Sequence, residues 1–509
     1  MDNIARTHAN PDASSTQIPS AARCTRWIDV GGARRTTWTA FGTGSVMVVI
    51  IAGLLLPVRP MAALTSAATA TVAATATADA VATMRAMATP PLTATPAVTA
   101  TNAPLGVTGH QEGTVTTETP VTARQQRVFD QFWNLVNDRY VYPDFRGINW
   151  PRVRTDTHKR IAAGMTDADF YALLAGLIDS FNDNHSNFLS PEEAKAEDAE
   201  YLGTGNYVGI GIISDINLSK HYVFVLSVLP ASPAERAGLH AHDRILQIDG
   251  LPSIGTDRQP RTNLLRGVAG SAVTLTVQTP GQATRTVSVT RAVVQSLEPI
   301  QQRVISVTTG ARTGARIGYL LVPSLFEVSV ATRARAALSD LMRPNNRLDG
   351  LILDLRTNGG GTYDNLRALL GVFTSGTMGT LTNRTGDTST VRVWAERIGN
   401  SQTLPLVVLT GPGTESFAEV LAAALQAKGR AVVIGLNSAG NIETLLSHEF
   451  EGGSRLWLAE EIFRLPNGKN FEGEGVTPDV RVPIGWDEFT PGNDPVIAAA
   501  MAYLTKSKP

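Results

Sequence analysis

The sequence predicts a multidomain chain of α/β and β parts: a helical N-terminal subdomain, a compact β domain and a parallel-sheet α/β core, behind a long non-globular N-terminal region. Three observations predict it. Val128, Phe129, Phe132, Trp133 and Val136 recur at helical spacing. Five short β-rich runs (Tyr207–Ile212, Tyr222–Leu229, Arg244–Ile248, Val273–Val277, Thr286–Thr290) are separated by turn residues. From Ala315 onward strands alternate with helices, an order that implies parallel pairing through right-handed crossovers.

Taken in order, residues 1–40 read as a polar tail. Residues 41–63 hold an apolar run from Phe41 to Val58, at the lower length for crossing a bilayer. Basic residues crowd its N-terminal side, which predicts a cytoplasmic N-terminus and an exported body. The run serves either as a membrane anchor or as a cleaved signal peptide, with Met61-Ala62-Ala63 supplying small residues after it. Residues 64–121 are mostly Ala, Thr, Val and Pro, too poor in large side chains to offset the entropy of ordering, and read as a linker. Residues 122–204 form the helical subdomain. There, Thr166-x-x-Asp169 caps a helix carrying Phe170, Leu173, Leu174, Leu177 and Ile178, which runs out into Asp183-Asn184-His185-Ser186. Residues 205–294 form the β domain, 295–490 the core, and 491–509 a C-terminal segment.

The composition excludes several classes of function. A net charge of −1 leaves no electrostatic footprint for nucleic acid. The single cysteine, Cys24, rules out a disulfide framework and a cysteine zinc site. The eight histidines are scattered with no HExxH run, so neither metal nor cofactor is expected. The charged fraction is low, at 17%, because the tail and linker dilute it.

Two strand ends of the core could carry chemistry. Ser416 lies between a strand end and a helix start, where free N–H groups and positive potential favour a developing anion. Ser416-x-x-Glu419 also fits a capping box, which merely closes a helix. Gly359-Gly360-Gly361 lets the backbone approach a ligand closely. Its spacing does not fit a nucleotide loop, whereas glycine N–H groups together with Phe417 N–H could form an oxyanion site.

In the β domain, Gly209-Ile210-Gly211-Ile212, Ser232-Pro-Ala-Glu-Arg-Ala-Gly238-Leu239 and Asp243-Arg-Ile-Leu-Gln-Ile-Asp249-Gly250 occur in order and resemble a PDZ domain. Its glycine loop and strand edge, at Gly209, Ile210, Gly211 and Ile212, could take a peptide C-terminus by β-addition. The whole order, with Leu353-Asp-Leu-Arg-Thr-Asn-Gly-Gly360, Ser416-Phe-Ala-Glu419 and Glu472-Gly-Glu-Gly-Val-Thr-Pro-Asp479, resembles the C-terminal processing (tail-specific) and tricorn-core serine peptidases. The resemblance covers about 122–485 and implies a crotonase-like peptidase core acting on protein or peptide substrates. It makes Ser416 the nucleophile. The processing proteases use a lysine base twenty-five positions later, and here that position is Asn441, which cannot take a proton. Tricorn-like members use a triad, matched here by Ser416, His185 and Glu472, with Glu474 a competitor for the last role. Asn441, Glu443 and Ser186 are expected to line the site, and Gly360, Gly361 and Phe417 to form the oxyanion hole. The missing lysine also motivates the competing reading, a catalytically inactive homologue that binds peptides or scaffolds envelope proteins.

Overall fold

The computed structural model describes residues 120–183, 185–308 and 312–506. The polar tail, the apolar segment 41–63 and all but the end of the linker lie outside the described residues.

The helical part contains α1 (Pro120–Arg139), α2 (Trp150–Ala162), α3 (Asp167–Asp179), the short strand β1 (Asn187–Leu189) and α4 (Pro191–Tyr201). The α1 periodicity is realised, with Val128, Phe129, Phe132 and Val136 all buried. Thr166 caps α3 by accepting from Asp169 N–H, and Phe170, Leu174 and Ile178 face inward. Each such side chain contributes about 1.5–3 kcal/mol by leaving water. The helices do not close this core alone. Leu445, Phe450, Leu456, Trp457 and Leu458, from much later in the chain, complete it.

The β domain runs through β2 (Asn206–Gly209), β3 (Ile212–Asn217), β4 (Tyr222–Val228), the helical turn α5 (Pro233–Arg236), β5 (Arg244–Ile248), β6 (Leu251–Pro252), β7 (Ala272–Gln278), β8 (Arg285–Thr290) and β9 (Ala292–Gln295). Its antiparallel sheet has the order β3-β4-β5-β7-β8, with β6 on β5. The expected run Tyr207–Ile212 is two strands, not one. Gly209 ends β2 in a two-stranded ribbon with β9, and Ile212 opens β3 at the sheet edge. The break falls at Gly211, where φ is +83° and a Cβ would sit 2.3 Å from Ser232 Cβ. Only glycine fits that turn.

The core contains β10 (Gln301–Ser306), β11 (Arg316–Leu321), α6 (Val330–Leu341), β12 (Gly350–Asp354), α7 (Tyr363–Phe373), β13 (Gly376–Asn383), β14 (Thr388–Val393), β15 (Leu406–Thr410), α8 (Phe417–Ala427), β16 (Val432–Gly435), β17 (Glu443–Glu449), β18 (Arg455–Arg464), β19 (Val480–Arg481) and α9 (Pro495–Leu504). The main sheet has the order β10-β11-β12-β15-β16-β19, parallel except at β10. Strands β12 and β15 are buried throughout, as strands covered on both faces must be. A second sheet, β1-β18-β13-β14 with β17 on β18, carries the later residues that complete the helical core. The C-terminal segment 491–509 supplies α9. Its Val496, Ala500 and Leu504 pack against Ile317, Tyr319, Ile352 and Val407 of the main sheet.

The β domain docks on the core through residues 486–488. His242 Nδ1 lies 2.7 Å from Trp486 O, Arg244 donates twice to Asp487 O, and Lys220 pairs with Asp487 and Glu488. Burial lowers the His242 pKa to about 4, so a neutral ring packs between Trp486 and Phe489.

Gly361 has φ +150°, and a Cβ there would lie 2.0 Å from the Leu325 carbonyl carbon. At Gly281 φ is +75° and no atom lies within 4 Å. Gly361→Ala should therefore cost roughly 2–4 kcal/mol, from backbone strain plus overpacking, and Gly281→Ala about 1 kcal/mol, from strain alone. Urea denaturation of both variants checks the contrast. Equal losses would contradict it.

Candidate active site

Strand β15 leaves the main sheet at Thr410, and six residues later the chain enters α8 through Ser416. Ser416 has φ 52° and ψ −129°, a conformation that costs a non-glycine residue about 1–3 kcal/mol and that surrounding structure must impose. Here Ser416 N–H donates to Asn441 O and to Glu419 Oε2, both at 3.0 Å. Glu415 N–H donates to Asn358 O at 2.9 Å, and the Thr414 hydroxyl to Leu355 O at 2.8 Å, so the loops after β12 and β15 are stitched together. A Cβ on Gly360 would lie 2.6 Å from Ser416 Cβ, which is why the glycine turn must pass here. Among the described residues, the N–H groups of Gly361 and Phe417 have no acceptor.

The Glu419 carboxylate is the hub of the next layer. It accepts from the Ser438 hydroxyl at 2.6 Å, Gly440 N–H at 2.7 Å and Asn441 N–H at 2.9 Å, besides Ser416 N–H. Burial pushes it up to about 7, against the pull of those four donors. The capping residue thus fixes the loop 438–441 as well as the helix start.

His185 comes from the helical part. Asp183 accepts from the N–H groups of His185 and Ser186, from the Ser186 hydroxyl and from the Tyr140 hydroxyl, at 2.7–3.0 Å. Ser186 Oγ in turn accepts from Ala459 N–H of β18 at 3.0 Å, and β1 pairs with β18 directly. These bonds hold the turn against the second sheet, where β17 begins with Glu443. His185 Nδ1 lies 3.2 Å from Glu443 Oε2, and both side chains are fully buried. Glu443 Oε1 accepts from the Tyr142 hydroxyl at 2.8 Å, and Arg146 lies 3.5 Å away. Glu472 stands behind, in hydrogen-bond contact with Glu443, and accepts from Ile442 N–H at 2.7 Å. Glu443 is held well below the usual carboxylate range, against burial, by His185, Glu472 and Tyr142. Glu472 is pushed well above it by burial and by the neighbouring Glu443 charge. Two buried carboxylates in hydrogen-bond contact are disfavoured as a doubly charged pair, and both directions favour one shared proton on the Glu472 side.

The family description of peptidase family S41 matches residues 316–482, that of the tricorn protease C1 domain matches 122–179, and that of the PDZ domain matches 224–279. A chloroplastic C-terminal processing peptidase of Tetradesmus obliquus is 30% identical over 372 residues, covering 70% of this chain and 77% of that protein. The chain belongs to peptidase family S41. A carboxyl-terminal-processing protease of a Picosynechococcus species is 28% identical over 394 residues, covering 75% of this chain and 90% of that one. Among solved structures, the photosystem II D1 C-terminal processing protease is similar at a TM-score of 0.52 and 27% identity, covering 70% of this chain and 93% of that one.

Against this S41 background, three placements differ from the sequence expectation. First, the carboxylate on the imidazole is Glu443, expected only to line the site, while Glu472, expected on the ring, lies one layer behind. The cause is β17, whose first residue pairs with Ile462 of β18 and so faces the β1 turn. Second, Gly360 N–H donates to Asn358 Oδ1 at 2.9 Å, leaving Gly361 and Phe417 as the available donors of the expected three. Third, Asn441 acts through its backbone: its C=O receives Ser416 N–H and its N–H donates to Glu419. The competitor Glu474 accepts through its carbonyl, from Asn437, at 3.4 Å. Every lysine among the described residues (159, 195, 220, 428, 469 and 506) is exposed, and Lys428 caps the far end of α8 about 18 Å from Ser416. Tyr142 and Glu419 complete the site, yet sequence reasoning left Tyr142 out and saw Glu419 only as a cap. The one signal for Glu443 is its place two residues after Asn441, inside the turn where the resemblance implies a lysine.

The shared proton has a pH consequence. An unfolded glutamate titrates near about 4.3, whereas folded Glu472 keeps its proton far higher. The folded state thus binds a proton that the unfolded chain releases, and this contribution is lost as pH rises above about 4.3. Glu472→Gln keeps a donor toward Glu443 but does not titrate. The stability of wild type minus that of Glu472→Gln should fall between about pH 5 and about pH 8, with a slope of up to ~1.4 kcal/mol per pH unit. A flat difference would show that Glu472 is not the protonated partner.

Proposed function

We propose that this chain is a serine endopeptidase that works through Ser416, His185 and Glu443, with protonated Glu472 as a positioning residue behind them. The observation that carries the proposal is the buried His185–Glu443 contact, two residues from the Asn441 carbonyl that fixes strained Ser416. In this scheme Ser416 Oγ attacks the scissile carbonyl and its proton passes to His185 Nε2. Glu443 holds the other ring nitrogen as N–H and stabilises the imidazolium that forms. Gly361 and Phe417 N–H groups take the oxyanion at the positive end of α8. The C–N bond breaks, the leaving amine takes the proton from His185, and water then releases the acyl group by the same steps in reverse. A lysine base would need a buried ammonium with a lowered pKa, and every described lysine is exposed.

In the same reading, the PDZ domain takes the C-terminus of an exported protein along β3, whose position at the sheet edge leaves backbone groups for β-addition. The apolar run 41–58 and its flanking basic residues support an extracytoplasmic body, anchored or released after signal cleavage.

The test uses residues 120–509 with an unfolded protein substrate. Wild type should cleave it, Ser416→Ala should be inert, and His185→Ala should lose about 10³–10⁴ in kcat/KM. Identical behaviour of wild type and Ser416→Ala would favour the inactive, peptide-binding alternative. Full activity in His185→Ala would exclude His185 as base.

A further inference from the structure

A row of side chains leads away from Ser416 that the proposed chemistry does not use. The ring of Phe417 lies 5.9 Å from that of Tyr363, which is two residues after Gly361 at the start of α7. One turn along α7, the Arg367 guanidinium lies 5.6 Å from the Tyr363 ring and 5.6 Å from that of Trp394. Trp394 is 68% exposed, although Gly371 lets its backbone lie directly on α7, where a Cβ would meet Trp394 O at 2.7 Å. Trp394 is thus open to solvent on a backbone set against α7, while Tyr363 and Arg367 are half-buried and Phe417 is buried.

Arg367 differs from its neighbours in having no acid. Glu396, two residues past Trp394, pairs with Arg335 at 2.7 Å. Asp364, one turn back on α7, and Glu461 act through space on the neighbouring Tyr363, but among the described residues neither lies within ion-pair distance of Arg367. Among the described residues Arg367 has no carboxylate within ion-pair distance, and its Nε is sealed from solvent without an acceptor. The Tyr363 and Trp394 rings flank the guanidinium at 5.6 Å each, and its Nη edge, without a partner among the described residues, is left for a ligand. That edge suits a planar, bidentate anion, which on a peptide is a carboxylate.

We infer that Tyr363, Arg367 and Trp394 form a specificity subsite that reads a carboxylate on the substrate, roughly three extended residues from the scissile bond. The carboxylate is an acidic side chain or the chain terminus. This rests on the endopeptidase reading of Ser416, and the test separates the two.

Binding is measured first, on Ser416→Ala, with a set of labelled unfolded peptides. In one arm a single Glu is moved along a C-terminally amidated peptide, with Gln peptides as partners. In the other arm Gln peptides carry a free or an amidated terminus. One Glu position, or the free terminus, should bind about tenfold tighter than its uncharged partner, as a charge-assisted bidentate pair requires. The same ratio should appear in kcat/KM for the chain with Ser416 intact. In Arg367→Gln the Glu-over-Gln ratio should collapse to about one, and any free-terminus preference should fall to what the PDZ domain alone supplies. In Arg367→Lys, which lacks the fork, it should be intermediate, and in Arg367→Glu a Lys peptide should bind better than the Glu peptide. A wild-type ratio near one at every position, or a Glu-over-Gln ratio and a free-terminus preference that are both unchanged in Arg367→Gln, would overturn the subsite. Selective binding without any cleavage would keep the subsite and overturn the peptidase reading instead.

Discussion

The contact between Glu443 and His185 is the constraint on which the rest of the site depends. It joins a turn of the helical part to the first residue of β17, and it is made where neither partner meets water. A charge buried this way is costly unless it is paired and hydrogen-bonded. Tyr142, Arg146 and the proton on Glu472 supply that pairing. The helical part is thereby committed to the core: its hydrophobic cluster is completed by Leu445, Leu456 and Trp457, and its catalytic candidate by Glu443. A helical subdomain cut away from β17 and β18 would lose both at once.

The second constraint is backbone geometry. Ser416 sits in a conformation that a serine adopts only under compulsion, and the compulsion comes from Asn441, Glu419 and the glycine turn pressed against its Cβ. Glu419 connects the two halves, because the same carboxylate holds the serine N–H and the loop that leads to Glu443. The proposed nucleophile and the carboxylate beside the proposed base thus share one support. At the position where the resemblance implies a lysine, this chain has an asparagine whose main chain is structural, and a carboxylate lies beside the histidine.

Much of this was legible in the sequence, for local reasons. Apolar strands such as Leu351–Leu355 and Leu406–Leu409, each followed by a helix, identify the parallel sheet, and strand ends there lie next to one another by topology. Ser416 and the glycine turn are placed by that rule alone. The periodicity of α1 and the cap at Thr166 likewise need only nearby residues. What was not legible is long-range. Nothing local says that Glu443 rather than Glu472 faces His185, since that depends on the register of β17 against β18 and of β18 against β1. The helix α2 escaped because its sequence, WPRVRTDTHKRIA, buries only Trp150, Thr157 and Ile161, a weak stripe. The run Tyr207–Ile212 looked continuous because its glycines gave no sign of which one turns the chain.

The most direct measurement is the rate at which a fluorophosphonate labels Ser416 in wild type, Glu443→Gln and Glu472→Gln. If Glu443 orients and stabilises the imidazole, Glu443→Gln should slow labelling by about 10³–10⁴, as loss of a triad carboxylate does, and Glu472→Gln by far less. Normal labelling in Glu443→Gln, with the loss appearing in Glu472→Gln, would contradict the account.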